Sequence, residues 1–142
     1  LPIPDRSVLN MDSYGWGRHA CDRIQPGAHF LTMITSRGCP FKCSFCQEGE
    51  DYFNKVRRFS VERITKELRY IAERTHSPVL QLADSNFGMF AEDIDTCHAI
   101  AEEQENTGYP TYINVATGKN KKERVIQTLC SLYYGGSCKR MV

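Results

Sequence analysis

Long apolar runs are missing from this chain of 142 residues. None approaches the roughly 20 residues that a helix needs to cross a bilayer, which argues against a membrane partner of the spanning kind. An excess of one charge is missing too: 18 basic and 17 acidic side chains leave a formal charge of +1. No global field then draws the chain to nucleic acid or to an anionic membrane surface. Its basic groups, Lys55, Arg57 and Arg58 and then Lys119, Lys121, Lys122 and Arg124, are short and balanced by acids. That is a weak basis for nucleic-acid recognition. The amino end, Leu1-Pro-Ile-Pro-Asp5, has no basic stretch followed by an apolar core, so it does not read as a secretory signal. It also lacks an initiator Met, and we expect the chain to begin inside a longer protein.

Cysteine, by contrast, is abundant. There are seven, an odd number, and Cys39, Cys43 and Cys46 fall within Ser36-Arg-Gly-Cys-Pro-Phe-Lys-Cys-Ser-Phe-Cys-Gln47. Cys21, Cys97, Cys130 and Cys138 are scattered singly, which does not suggest a disulfide framework. A reducing, cytoplasmic compartment is expected. Cys97 and Cys130 fall on apolar faces of predicted helices and are expected in the core, where a free thiol behaves as a small hydrophobe.

Three thiolates at C-x3-C-x2-C spacing can converge on one soft metal centre. Structural zinc is closed by four protein ligands, and ferredoxin clusters also use four cysteines. Three ligands with no fourth nearby therefore suggest a four-iron, four-sulfur (4Fe-4S) cluster with one iron left open for a small molecule. Two alternatives stand beside this. One is a zinc-stabilised binding module closed by Cys21 or a histidine. The other is an iron–sulfur electron carrier that recruits a distant fourth cysteine.

Around the cysteine loop, strand and helix patterns alternate. Residues 1–28 are rich in turn formers and read as a connector. Phe30–Thr35 is short, apolar and β-branched, a first strand running straight into the loop. Gly38 can take unusual dihedrals there, and Pro40 fixes the turn after the first cysteine. Gln47–Phe59 reads as a charged, aromatic surface loop. Ser60 is a good N-cap for a helix from Val61 to about Arg74, with Val61, Ile64, Leu68 and Ile71 on one stripe. Val79–Ala83 is a second strand ending in Asp84-Ser85-Asn86-Phe87-Gly88. A second helix runs from Asp93 to Asn106, with Ile94, Cys97 and Ala101 inward and Glu102, Glu103 and Glu105 solvated. Thr111–Thr117 is a third strand. A third helix follows, capped by Asn120, with Val125, Ile126, Leu129, Leu132 and Tyr133 on its apolar stripe, ending at Gly135-Gly136. Lys139–Val142 could open a fourth strand. The class is α/β, with about three parallel βα units, far short of the roughly 250 residues of a closed eight-stranded barrel.

The cysteine loop resembles that of the radical S-adenosylmethionine (radical SAM) enzymes, whose signature is C-x3-C-x-aromatic-C, with Phe45 in the aromatic slot. The resemblance implies a partial (β/α) barrel of six units, of which this chain supplies the N-terminal half over residues 29–142, with 1–28 as a linker. It implies that Cys39, Cys43 and Cys46 hold three irons while SAM chelates the fourth. One-electron cleavage of SAM then gives a 5′-deoxyadenosyl radical, which abstracts hydrogen from a small-molecule substrate. An electron donor such as flavodoxin or ferredoxin is implied as a partner, and Phe45 would pack near the adenine.

At the end of the second strand the family carries a Gly-Gly-Glu type motif for the SAM amino group. This chain offers Ala83-Asp84-Ser85-Asn86 instead, so backbone carbonyls or the Asp84 carboxylate would serve the amine, with Ser85 and Asn86 beside them. Asp84 and Asn86 can also be plain turn formers. Both the Asp-Ser-Asn-Phe loop and the wording of residues 1–16 are similar to the members with an N-terminal cobalamin-binding domain. Cobalamin would then be held by a domain outside this chain.

Overall fold

The computed structural model describes residues 2–5, 30–75, 77–118, 121–134 and 140–141. Most of the 1–28 connector lies outside them, as do Cys21, Cys138, Lys119, the Asn120 cap and Gly135-Gly136. In chain order the elements are β1 (Phe30–Met33), β2 (Ser36–Arg37), β3 (Arg57–Arg58), α1 (Val61–Ala72), β4 (Val79–Phe87), α2 (Asp93–Thr107), β5 (Tyr112–Thr117), α3 (Lys122–Tyr134) and β6 (Arg140–Met141).

Alternation of strand and helix with short connections leaves parallel crossovers as the economical solution, and the sheet is built that way. Its order is β1-β4-β5-β6, every pair parallel. Phe30 stands opposite Val79, Val79 opposite Tyr112, and Tyr112 opposite Arg140. The C-terminal strand is thus formed, with two residues, and it partners the N-terminal end of β5.

One face of the sheet carries the core. Leu31, Met33, Leu80, Leu82 and Ile113 meet Ile64, Leu68 and Ile71 of α1, Cys97 and Ile100 of α2, and Leu132 of α3. Each such side chain contributes about 1.5–3 kcal/mol by leaving water. The other face is barer: Thr32, Ala83 and Ala116 are exposed. A parallel sheet with helices on one side only is the wall of a partial barrel, its bare side facing the lumen.

Helix α1 begins as its sequence dictates, with the Ser60 hydroxyl accepting from the Arg63 backbone N–H at 3.3 Å. Three expectations fail. Cys130 is exposed, because Thr128 and Leu132 are the buried positions of α3 and a residue two away from each faces elsewhere. Ile126 is likewise half exposed, at 50%. Glu103 is buried rather than solvated, at 2% exposure, because the Arg69 guanidinium of α1 grips its carboxylate with both Nε and Nη2.

The segment read as a surface loop after Cys46 is also more ordered than expected. It forms two short 3-10 turns, Gln47–Gly49 and Asp51–Phe53, then β3, which pairs antiparallel with β2.

Candidate functional site

The sheet leaves β1 at Met33, and the chain passes through Thr35 and β2 into the cysteine loop. β4 outruns its expected end at Ala83 and continues to Phe87, with a register break against β5 between Leu82 and Phe87. Alternation along β4 then decides where its polar residues point. Asp84 falls on the core side with Leu80 and Leu82, whereas Ala83 and Ser85 fall on the open side.

Asp84 is 1% exposed. Its Oδ1 accepts the Thr35 backbone N–H at 2.7 Å, and its Oδ2 accepts the hydroxyls of Thr35 and, at 2.9 Å, Ser36. Burial pushes this carboxyl above its ordinary value, against the hydrogen bonds from Thr35 and Ser36. The carboxylate is spent on bracing the root of the cysteine loop. Ser85 donates to Glu48 Oε1 at 2.6 Å, tying β4 to the first 3-10 turn. Asn86 Nδ2 donates to Cys39 Sγ at 3.1 Å.

The three candidate ligands differ in setting. Cys39 is buried, and its backbone N–H donates to the Phe53 carbonyl at 2.9 Å. Before it, Gly38 has φ +94°, and a Cβ there would come within 2.7 Å of the Phe53 and Lys55 carbonyls; only glycine fits. Cys43 and Cys46 are exposed, and Phe45 between them is 88% exposed. The Cys46 N–H donates to the Cys43 carbonyl at 3.1 Å, and Gly49 N–H to the Cys46 carbonyl at 2.9 Å. Their turn is compact although its side chains are free.

As a donor set the three fit a soft metal cluster: all are free thiols in one loop, and a neutral N–H already points at one sulfur. Among the described residues no three Cys, His, Asp or Glu side chains stand together as an ion site. To share one metal centre with Cys39, the exposed Cys43 and Cys46 side chains would have to be brought to it on binding. Neither remaining described cysteine is at hand as a fourth ligand. Cys97 lies in the helix-side core, where burial pushes its thiol far up, and Cys130 lies on α3.

Beside the loop opens a cleft of about 680 Å³. Ile34, just past β1, and Ala83 of β4 line it together with Ser36, Glu48, Tyr52 and Arg57. Chemistry at the carboxyl ends of parallel strands is where such sheets carry their ligands.

Thr35, Ser36, Glu48 and Phe53 had not been singled out in the sequence. Thr35 leaves one legible trace, a polar residue ending an apolar strand; Glu48 leaves none.

A parallel βα wall with a three-thiol loop at the end of its first strand is the architecture of a partial-barrel enzyme class. Residues 33–132 match the radical SAM superfamily, and the chain belongs to it. Membership implies a 4Fe-4S cluster and SAM as the cofactors of the family's chemistry.

Curated relatives agree. The chain is 37% identical over 91 residues, 64% of its length, to the cobalamin-dependent radical SAM methyltransferase TokK of Streptomyces tokunonensis. It is 34% identical over 93 residues, 66% of its length, to the 2-(S-pantetheinyl)-carbapenam-3-carboxylate methyltransferase of Streptantibioticus cattleyicolor. It is 32% identical over 87 residues, 61% of its length, to an uncharacterized methyltransferase of Pyrococcus horikoshii. These stretches cover 13%, 14% and 17% of the respective relatives, so the chain spans a small part of their length. Among the described residues, no helix is long and apolar enough to cross a membrane.

Proposed function

We propose that this chain is the cluster-holding section of a cobalamin-linked radical SAM enzyme that transfers a methyl group to a small molecule. Cys39, Cys43 and Cys46 would be the thiolate ligands of the cluster. The chemistry supplied there, once the cluster is bound and reduced, is one-electron cleavage of the SAM sulfonium. The chain's own residues bind, orient and exclude water. Asp84 holds Thr35 and Ser36 so that the loop springs from a fixed point. The open side of β4 borders the cleft at Ala83, where SAM would lie, and backbone carbonyls there suit its ammonium better than the committed Asp84 carboxylate. Phe45 is free to fold over the adenine.

The methyl-transfer and cobalamin parts of the proposal draw on the relatives' names, with cobalamin held by a domain outside residues 1–142. Residues 1–28 then serve as the linker from that domain. An electron donor such as flavodoxin or ferredoxin and a cytoplasmic setting complete it.

The observation that carries the proposal is the three-thiol loop seated at the carboxyl end of β1 beside the cleft. Anaerobic reconstitution tests it: about four irons per chain are expected, with an electron paramagnetic resonance signal that changes when SAM is added. One tightly held zinc, or a cluster indifferent to SAM, would overturn it.

A further inference from the structure

Asn86 stands where the family's SAM-amine motif would be, yet its side chain points elsewhere. Its Nδ2 lies 3.1 Å from Cys39 Sγ. A thiolate offers only lone pairs, so the amide must present its nitrogen there and not its oxygen. The contact spans 47 residues of sequence and joins the register break of β4 to the first of the three candidate ligands. Asn86 is itself held. Its carbonyl accepts the Met89 N–H at 3.2 Å, and Gly118 at the end of β5 packs so closely that a Cβ there would lie 3.2 Å from that carbonyl and 3.5 Å from the Asn86 Cβ.

From this geometry we infer that Asn86 is a positioning residue for the Cys39 sulfur, and that its N–H raises the reduction potential of the cluster bound there. The inference rests on the proposed function and deepens it. A donor aimed at a ligand sulfur stabilises the more negative, reduced state, because that state places more charge on sulfur. It also fixes the ligand's orientation, the usual role of groups just outside a metal's own ligands. The other two sulfurs have no such donor among the described hydrogen bonds, so the effect is specific to Cys39. The carboxylates tied to this stretch are engaged elsewhere, Glu48 by Ser85 and Asp84 by Thr35 and Ser36.

The chain is reconstituted anaerobically as wild type, Asn86→Ala, Asn86→Asp and Gly118→Ala, and titrated electrochemically while the reduced-cluster signal is followed. Asn86→Ala is expected to lower the reduced-to-oxidised ratio at a fixed poise by up to about tenfold, which is 59 mV for a one-electron couple. Asn86→Asp keeps the shape but sets a negative charge against the sulfur, so it should fall further. It should also lose iron to a chelator about 10–100-fold faster. Gly118→Ala leaves the amide in place but presses on the Asn86 backbone carbonyl and on Met89, and should fall between wild type and Asn86→Ala. Thermal melts of the apo forms separate misfolding from these effects: Asn86→Asp is expected to melt near wild type. If the wild type holds a cluster while Asn86→Ala and Asn86→Asp match it in potential and chelator resistance, the inference is wrong. If the wild type takes up no such cluster, or loads equally well as Cys43→Ser, the functional proposal fails and the inference falls with it.

Discussion

Cys39 and the Cys43–Cys46 turn belong to one loop but are built to opposite specifications. Around Cys39 every degree of freedom is used: a glycine wedged against two carbonyls, a backbone bond to Phe53, a side-chain bond from Asn86, and Asp84 fastening the root. Around Cys43 and Cys46 the backbone is turned but the side chains are in water. One thiol is held by its neighbours and two are exposed. If the three hold a cluster as proposed, Cys39 is the fixed point of the set, and the entropic cost of ordering falls on Cys43 and Cys46.

The contrast can be broken at Gly38 first. Gly38→Ala forces a Cβ into both carbonyls at a left-handed φ, and a loss of about 3 kcal/mol or more is expected in urea unfolding. Ser44→Ala in the exposed half should change stability by less than about 0.5 kcal/mol.

Asp84→Ala comes next. It strands the Thr35 N–H and two hydroxyls in a buried site, at a cost of about 2–4 kcal/mol. Asp84→Asn should cost less and sharpen the point through pH. The folded carboxyl titrates above its ordinary 3.8, so the native state binds that proton more tightly than the unfolded chain does. Its contribution is complete below the unfolded value and is lost as pH rises through the folded one. Wild-type stability minus that of Asp84→Asn should therefore decline as pH climbs from about 4, and denaturant melts at successive pH values would show it. A flat difference would mean that the carboxylate is ionised without penalty.

Thiol labelling of the metal-free chain gives a smaller, kinetic reading. Cys43 and Cys46 should alkylate about tenfold faster than Cys39, and Cys97 only on unfolding; equal rates for the three would erase the asymmetry. The smallest expected effect is that of Phe45→Ala, which should leave the melt within about 0.5 kcal/mol because the ring packs on little. SAM affinity of the loaded chain should nonetheless weaken severalfold.

What could be read in advance follows from physics that is local in sequence. The α1 stripe and the Ser60 cap are written within a few residues, and each is found in place. Failures cluster where a partner distant in the chain decides the outcome. Glu103 reads as solvated until Arg69 is brought to it by α1 packing on α2. Asp84 reads as a ligand group or a turn former, and only the pleat of an unexpectedly long β4 reveals its bond to Thr35. The β2–β3 pairing of two-residue strands carries no periodic signal at all, since alternation needs about four residues to register.

That small pairing has a mechanical outcome. Ser36 opposite Arg58 and Arg37 opposite Arg57 bring both stems of the intervening segment together, and Phe59 N–H to the Thr35 carbonyl adds a further tie at the base. The segment is a cassette closed at its neck and tied to the wall only at β4, through Glu48–Ser85 and Cys39–Asn86 among the described hydrogen bonds. Rearrangement of its tip should pass to β4 by those two contacts and leave amide-exchange protection in β1 and α1 unchanged. Substitutions or length changes near the tip would then act on the cleft while β1 and α1 keep their geometry.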